Sequence, residues 1–506
     1  MQFPRLADTV VIGGGTSGAV VAGLLAENSD ERIVVLEAGP DFGPFQDGRW
    51  PADLLDARAL GYTHDWKYTS EDTYPDRIVP FERAMVIGGC SSHNGCAAIW
   101  GSRIDYDDWV AAGLVGWSTD ELVPFFTRAN ELMRVRDYQE SEVTPFHRAV
   151  LSAAEAAGIP RTANLNDLDE DEGISPSPVN IADGVRWNSA FAYLDPVRNR
   201  ANLTVIGNAL VERVEIDKGK ATRVHYVGSN GPESIEAGRI VISSGTYGSP
   251  AVLLRSGVGD PESLRSIGIA PVHNLPGVGQ NLHDHSAVML SWAGTPELVS
   301  QMQAFAAGSW MPEEQTIAKF RSSHYPANET GFDLHIYPVG GPIADGWRWD
   351  FPVACMTPRS RGEVTLRSAN PAESPRLQHR YLSDEAGHDR QVLIDGVRRA
   401  RQIAAQSPLR ELLGEETAPT LLAQTDGEIG NWVENSVFHY YHPVGTCAMG
   451  HPGEPMAVTD PRGKVHGLDN VYVADCSIIP VIPRANTNIP AVVIGERIAG
   501  WLLEQA

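Results

Sequence analysis

The stretch Thr9-Val10-Val11-Ile12-Gly13-Gly14-Gly15-Thr16-Ser17-Gly18 constrains this chain more than any other. Three apolar residues feed a glycine-rich turn, and an apolar helical pattern follows from Ala19 to Leu25. This is G-x-G-x-x-G between a predicted strand and a predicted helix. Gly13 permits the tight turn, Gly15 lets backbone approach a pyrophosphate, and Gly18 lets the helix pack closely on the strand. Thr16 and Ser17 open the helix, whose first N–H groups and positive dipole end would face the phosphates.

Glu31-Arg32-Ile33-Val34-Val35-Leu36-Glu37 reads as the next strand, with an acid at its end. Glu37 falls about 20 residues after the turn, where a carboxylate can accept from ribose hydroxyls. The other reading is a glycine turn in an ordinary α/β domain, with Glu37 solvated. The motif alone does not choose between NAD and FAD.

With 506 residues, the chain exceeds what one core usually organises, so two or three domains are expected. Its 42% hydrophobic and 21% charged composition is that of a globular protein. A net charge of −24 argues against nucleic acid and anionic membranes as partners. No apolar run reaches the roughly 18 residues that span a bilayer, and the first strand leaves no room for a signal peptide, so a cytoplasmic protein is expected. Five scattered cysteines make no disulfide framework and no zinc spacing, and no metal is expected.

Asp41 to Pro80 reads as an irregular excursion. A helix is predicted from Thr119 with Ser118 as N-cap, and an amphipathic helix over Val143–Ala157. Leu203–Ile206 is a short strand, and Ala209–Ile216 with Ala221–Val227 predict an antiparallel meander. Ile240–Ile242 is again strand, followed by turn and helix over Gly245–Gly259, so the parallel sheet resumes. Alternation at Gly331–Val339 and Gly362–Leu366, and a long helix over Ser383–Gln406, predict a second, mixed domain. Val471–Asp475 is a late strand tipped by an acid. The last helix runs from Asn488 to Glu504, capped by Asn488 with Pro490 in its first turn.

Further motifs complete the set: Arg83-Ala84-Met85-Val86-Ile87-Gly88-Gly89-Cys90-Ser91-Ser92-His93-Asn94-Gly95-Cys96, Gly245 to Gly259, Tyr441-His442-Pro443-Val444-Gly445-Thr446, and Asn486-Thr487-Asn488-Ile489-Pro490. With Gly13 to Gly18 and Glu37 they resemble, in order and over the whole chain, the glucose–methanol–choline (GMC) family of FAD-dependent oxidoreductases. Cys90 departs from the first signature, where glycine, serine or threonine is usual. The resemblance, not the opening turn, selects FAD. It implies an α/β fold: a Rossmann-like FAD-binding domain in discontinuous pieces (1–155, 195–292 and 458–506) and a mixed-sheet substrate domain (156–194 and 293–457).

The same resemblance assigns the cofactor contacts. Ala38, Trp66, Arg83, Gly88, Gly89, Ser92, Asn94, Gly95 and Ala97 join the opening motif, and Val211 matches a backbone contact to adenine. Gly245, Asp475, Cys476, Asn486, Thr487 and Asn488 complete the set, with Asp475 toward the ribityl or pyrophosphate region. The helix from Asn488 would aim its positive end at the flavin N1/O2 edge. Gly88 to Asn94 looks most like the choline-oxidizing branch, which implies a covalent bond from His93 to the flavin.

In Val437-Phe438-His439-Tyr440-Tyr441-His442-Pro443, His442 taken alone reads as a structural histidine. The resemblance makes it the base for an alcohol hydroxyl, a task suited to a side chain that titrates near neutrality. Asn486 matches the second member of the family's pair and would donate to the substrate oxygen. His335 and Tyr440 are assigned to the substrate pocket. An ungapped alignment over Val288–Gly308 puts Ala306 where a headgroup glutamate would stand, with Glu313 and Glu314 out of register. The expected substrate is therefore a neutral primary alcohol (aryl, furanic, aliphatic or sugar) rather than choline. O2 or another acceptor would reoxidise the flavin, and a homodimer is among the expected assemblies. The rival readings are a choline-type oxidase, a lyase or photodecarboxylase on the same fold, and an NAD-dependent dehydrogenase sharing only the opening turn.

Overall fold

Two sheets organise the chain in the computed structural model, which describes residues 4–71, 77–417 and 419–505. Part of the excursion expected from Asp41 to Pro80, residues 72–76, lies outside the described residues. β1 (Leu6–Ile12), α1 (Thr16–Asn28) and β2 (Ile33–Leu36) open the first sheet. β3 (Leu203–Ile206), β4 (Leu210–Asp217), β5 (Lys220–Gly228) and β6 (Gly231–Ile242) complete most of it, and α2 (Gly245–Arg255) follows. The order is β3-β2-β1-β6-β5-β4, and the late strand Val471–Val473 joins the far end of β6.

β6 serves two patterns. Its first half pairs antiparallel with β5, closing the expected meander. Its last residues lie parallel between β1 and Val471–Val473. Strands covered on both faces need apolar residues at every position. Val10, Val11 and Ile12 on β1, and Ile33, Val34, Val35 and Leu36 on β2, are buried accordingly. The carboxyl ends of β1, β2, β6 and the late strand bring Gly13, Glu37, Ser243 and Asp475 to one edge. Ligands of open α/β sheets bind at such an edge.

Gly13 has φ +94°, and a Cβ there would stand 2.5 Å from the Ser243 carbonyl oxygen, so only glycine fits the turn. α1 is buried from Ser17 to Ala26 and is apolar all round, as a helix covered on every side must be.

The second sheet is antiparallel at its centre: β7 (Ser286–Gly294), β8 (Thr316–Phe320), β9 (Leu334–Ile336), β10 (Val339–Ile343) and β11 (Gly346–Cys355). Its order is Leu413–Glu416, β7, β11, β9, β8, Gly173–Pro176, with Phe438–His439 also on β7. β7 starts before 292, and the helix Pro145–Ala156 puts Phe146, Val150 and Ala153 into the second core. α3 (His388–Ala404) is shorter than the helix expected over Ser383–Gln406. Asp384 Oδ2 accepts from the His388 N–H at 2.6 Å, which starts the helix there. Leu393, Val397 and Ala400 give α3 its buried face.

α4 (Asn488–Leu503) returns to the first sheet and packs along α1. Ser17 Oγ donates to the Ala491 carbonyl at 2.7 Å, tying the two helix starts together. Thr487, not Asn488, occupies the N-cap, and its side chain makes no capping bond. Asn488 is the first helical residue, and its Nδ2 donates to Asn180 Oδ1 at 3.2 Å. Ser118 does cap the helix Thr119–Leu132, as expected. No helix among the described residues is long and apolar enough to cross a membrane.

Candidate active site

A cavity of about 650 Å³ runs from the carboxyl edge of the first sheet to the face of the second. This volume is in the range of cofactor and small-molecule sites. At one end it is lined by Gly13, Gly15, Thr16, Ser17, Glu37, Ala38 and Val211. Along its length come Trp66, Arg83, Gly89, His93, Asn94, Gly95, Ala97, Gly245, Asp475 and Cys476. At the other end stand Tyr440, His442, Asn486, Thr487 and Asn488. Segments more than 400 residues apart in sequence thus share one wall.

Four expected residues do not line it. Gly18 is inside α1, where a Cβ would stand 2.0 Å from the Gly13 carbonyl oxygen, so it serves packing. Gly88, with φ +83°, and Ser92, whose Oγ donates to the Ile87 carbonyl at 3.1 Å, shape the turn beneath the lining. His335 shares a strand face with Tyr337 but lies one pleat further on, 1% exposed, with its ring 6.1 Å from that of Tyr440. Tyr337 takes the lining position expected of His335.

Two expected ligand carboxylates are engaged by the protein. Glu37 accepts from the N–H groups of Gly14 and Gly39, each at 2.8 Å. Burial nevertheless leaves its carboxyl above the usual range. Asp475 accepts from the Gly245 N–H at 2.9 Å and Ser249 Oγ at 2.5 Å, which joins the late strand to the start of α2. Both acids shape the lining rather than stand free in it.

The residues present fit a flavin dinucleotide. A Cβ on Gly15 would meet no protein atom nearer than 3.8 Å, so glycine there keeps cavity open rather than relieving a clash. Asn486 Oδ1, Asn488 Oδ1 and Tyr440 Oη are buried without a partner at the far end. Buried polar atoms without partners are costly, so a ligand is expected to satisfy them. The α4 start presents uncapped N–H groups to the same end.

His442 is 7% exposed and held from three sides. Its N–H donates to Asp284 Oδ1 at 2.9 Å. Its Nδ1 meets His285 Nδ1 at 2.9 Å, and its Nε2 meets Asn486 Nδ2 at 3.2 Å. An amide nitrogen can only donate, so Nε2 is the unprotonated nitrogen and Nδ1 carries the hydrogen toward His285. Burial, then the neighbouring His285, His335 and Arg83, hold the ring well below the usual imidazole range. His442 is therefore neutral at pH 7, with a lone pair at the cavity. Asp284 beneath it is pushed up to about 7 by burial, against the pull of Arg83.

His285 and Asp284 are functional residues that the sequence motifs do not single out. Three titratable residues in a row, His283-Asp284-His285, directly before an apolar strand are the available signal. Glu314, Tyr62, Tyr337, Tyr441 and Arg348 also line the cavity. Ala306 does not: it ends the helix Pro296–Ala306, outside the lining. Elsewhere, Cys355, His388 and Asp389 offer three ligand atoms within 4.8 Å of one another. Both Asp389 oxygens accept from backbone N–H groups, of Arg359 at 2.7 Å and Ser360 at 3.0 Å, and burial pushes the Cys355 thiol up.

The GMC oxidoreductase family matches the chain over residues 7–287 and 358–495. An oxygen-dependent choline dehydrogenase of Vibrio vulnificus is 31% identical over 98% of this chain and 94% of its own. The choline oxidase of Arthrobacter globiformis is 32% identical over 97% of this chain and 93% of its own. Among solved structures, pyridoxine 4-oxidase from Mesorbium loti superposes with a TM-score of 0.86 at 26% identity, covering 98% of both chains. The two-sheet fold, the dinucleotide edge and the full-length matches agree: the chain belongs to the GMC oxidoreductases, FAD-dependent enzymes acting on CH–OH donors.

Proposed function

We propose that this enzyme oxidises a primary alcohol to the aldehyde, with His442 as the base and Asn486 as the group that orients the substrate oxygen. The observation that carries the reading is the His442–Asn486 pair, with the neutral His442 presenting Nε2 to the cavity. FAD, when bound, supplies the hydride acceptor at N5, and O2 or another acceptor restores it. The alcohol hydroxyl takes the place of the 3.2 Å bond between the two side chains, engaging each of them in turn. His442 Nε2 takes its proton, while Nδ1–H stays on His285 and keeps the ring in that tautomer. Asn486 Nδ2 donates to the oxygen as negative charge develops there.

We also propose that His93 carries the flavin covalently. His93 is 6% exposed, lines the cavity and rests its Nε2 against the Thr63 carbonyl. Acid-denatured holoenzyme that keeps its yellow colour on the polypeptide supports the bond; full release of the colour refutes it.

The neutral-alcohol expectation rests on Ala306, which the cavity does not contain, so that residue carries no argument about the headgroup. An anaerobic panel of alcohols read at the flavin band tests the reaction class. Bleaching by an alcohol supports oxidation; turnover without bleaching supports a lyase or photodecarboxylase.

A further inference from the structure

His442 stands on a bulge at the edge of the second sheet. Phe438 and His439 pair antiparallel with Ala287 and Ser286 at the start of β7. Just beyond, Val444 bridges His283, with both backbone bonds made, at 2.8 and 3.2 Å. Between the two pairings one side has two residues, Asp284 and His285, and the other has four, Tyr440 to Pro443. Extra residues of this kind bend a strand and re-aim a side chain, and they collect beside active sites. Here they bring His442 to the cavity wall.

The bulge is strained, and three backbone atoms hold it. Tyr441 has φ +66°, a left-handed conformation that a bulky side chain adopts only under constraint. Arg83 Nη2 donates to the Tyr441 carbonyl at 3.0 Å, and Thr246 Oγ1 donates to that of Pro443 at 2.7 Å. The N–H between them, that of His442, goes to Asp284 Oδ1 at 2.9 Å. Of these three anchors only the carboxylate can change its charge near neutrality.

Asp284 is 2% exposed, and Tyr381 Oη donates to its Oδ2 at 3.3 Å. Arg83, from the stretch before the Gly88 turn, and Tyr247, from α2, also face it. The backbone of Tyr440 and His442 faces it from the bulge. His283 and His285 flank it on its own segment, and burial keeps both neutral. Burial pushes the Asp284 carboxyl up to about 7, and Arg83 and the hydrogen bonds pull it back. It therefore passes from protonated to ionised as pH rises through neutrality.

We propose that Asp284 is the clasp of the base: a positioning residue whose ionised carboxylate holds the His442 bulge in its strained shape, so that alcohol oxidation follows the charge on Asp284 rather than that on His442. An ionised carboxylate accepts an N–H bond about twice as strongly as a neutral acceptor does. Protonation turns one of its lone pairs into an O–H and weakens the hold, and Tyr441 can then relax toward an ordinary conformation. The inference rests on the reading of His442 as the base and adds what sets its geometry and its pH dependence.

The test follows anaerobic flavin reduction of the holoenzyme by benzyl alcohol, which has no group titrating between about pH 6 and pH 8. Glu314 lines the same cavity, and burial pushes its carboxyl up to about 7 as well, so Glu314→Gln is the background. There the rate should rise about 10-fold from the protonated to the ionised form of Asp284. Adding Asp284→Asn should hold the rate flat at the lower level, because the amide keeps the shape and one acceptor without the charge. A limb that survives Asp284→Asn overturns the proposal. Tyr381→Phe keeps the ring that stacks on His379 but removes the donor to Oδ2, so the limb should move to higher pH. This variant decides the matter if Asp284→Asn does not fold, and an unmoved limb overturns the proposal.

Hydrogen exchange over the peptide that contains the bulge reads the clasp without any alcohol. Corrected for the intrinsic rate at each pH, the His442 amide should lose protection in the Glu314→Gln background as pH falls from about 8 to 6. In Asp284→Asn the protection should be low at both. Protection that does not vary with pH overturns the clasp whatever the alcohols do. If no alcohol bleaches the flavin while exchange behaves as expected, the reading of His442 as the base fails and the clasp stands.

Discussion

His442 Nδ1 stands 2.9 Å from His285 Nδ1, with the two rings crossed at 85°. His285 is wholly buried. The backbone of Pro483 and of Met356 also acts on this ring, and the side chain that meets its Nδ1 is the base itself. His285 acts as a positioning residue: by accepting the Nδ1 hydrogen it keeps the Nε2 lone pair of His442 toward the cavity. His285→Leu should lower the rate of anaerobic flavin reduction about 10-fold or more, with KM for the alcohol little changed. His285→Asn, which retains an acceptor, should recover part of the loss. A fall confined to KM would mean that His285 shapes the pocket instead.

The pH response separates His442 from its neighbours. Its folded-state value is depressed, so the neutral form is complete above the ordinary imidazole value and persists as pH falls through it. With Glu314 replaced by glutamine, reduction by benzyl alcohol should stay level between about pH 8 and pH 6 as far as His442 is concerned. A limb centred near ~6.5 that persists with Asp284→Asn in the same background would show His442 titrating as if exposed, since Asp284 itself is pushed up to about 7.

Gly13 and Gly15 make a contrasting pair. A Cβ at Gly13 meets Ser243 at 2.5 Å on a left-handed backbone, whereas one at Gly15 meets nothing nearer than 3.8 Å. Gly13→Ala should cost ~1–3 kcal/mol of apoprotein stability, read as a lower melting temperature. Gly15→Val should leave the apoprotein's melting temperature nearly unchanged and yet lower the FAD content of the purified enzyme. Equal melting losses in the two variants would contradict the assignment of Gly15 to ligand space.

Much of the dinucleotide half is legible in the chain because its logic is local. A strand, a turn and a helix that are contiguous in sequence place Gly13 to Gly18, and backbone pairing then follows from apolar runs such as Val10–Ile12 and Ile240–Ile242. The substrate half is less legible because it depends on register between distant strands. His335 and Tyr337 differ by one pleat, and only the pairing of β9 with β11 decides which meets the cavity. Ala306 falls on a surface helix for the same reason: an ungapped alignment cannot see where a strand ends. Glu314 becomes readable only with Gly95 beneath it, since the pair are more than 200 residues apart in sequence. Asn488 is expected as a cap because asparagine favours that position, but its amide is taken by Asn180.

The central claim is that His442 takes the substrate's hydroxyl proton, and one measurement addresses it directly. The anaerobic rate constant for flavin reduction by the best alcohol of a panel is compared between the wild type and His442→Gln, with FAD content matched. Loss of a positioned base predicts a fall of about 10²–10⁴-fold with the flavin still bound. A His442→Gln enzyme that reduces its flavin at close to the wild-type rate would contradict the account.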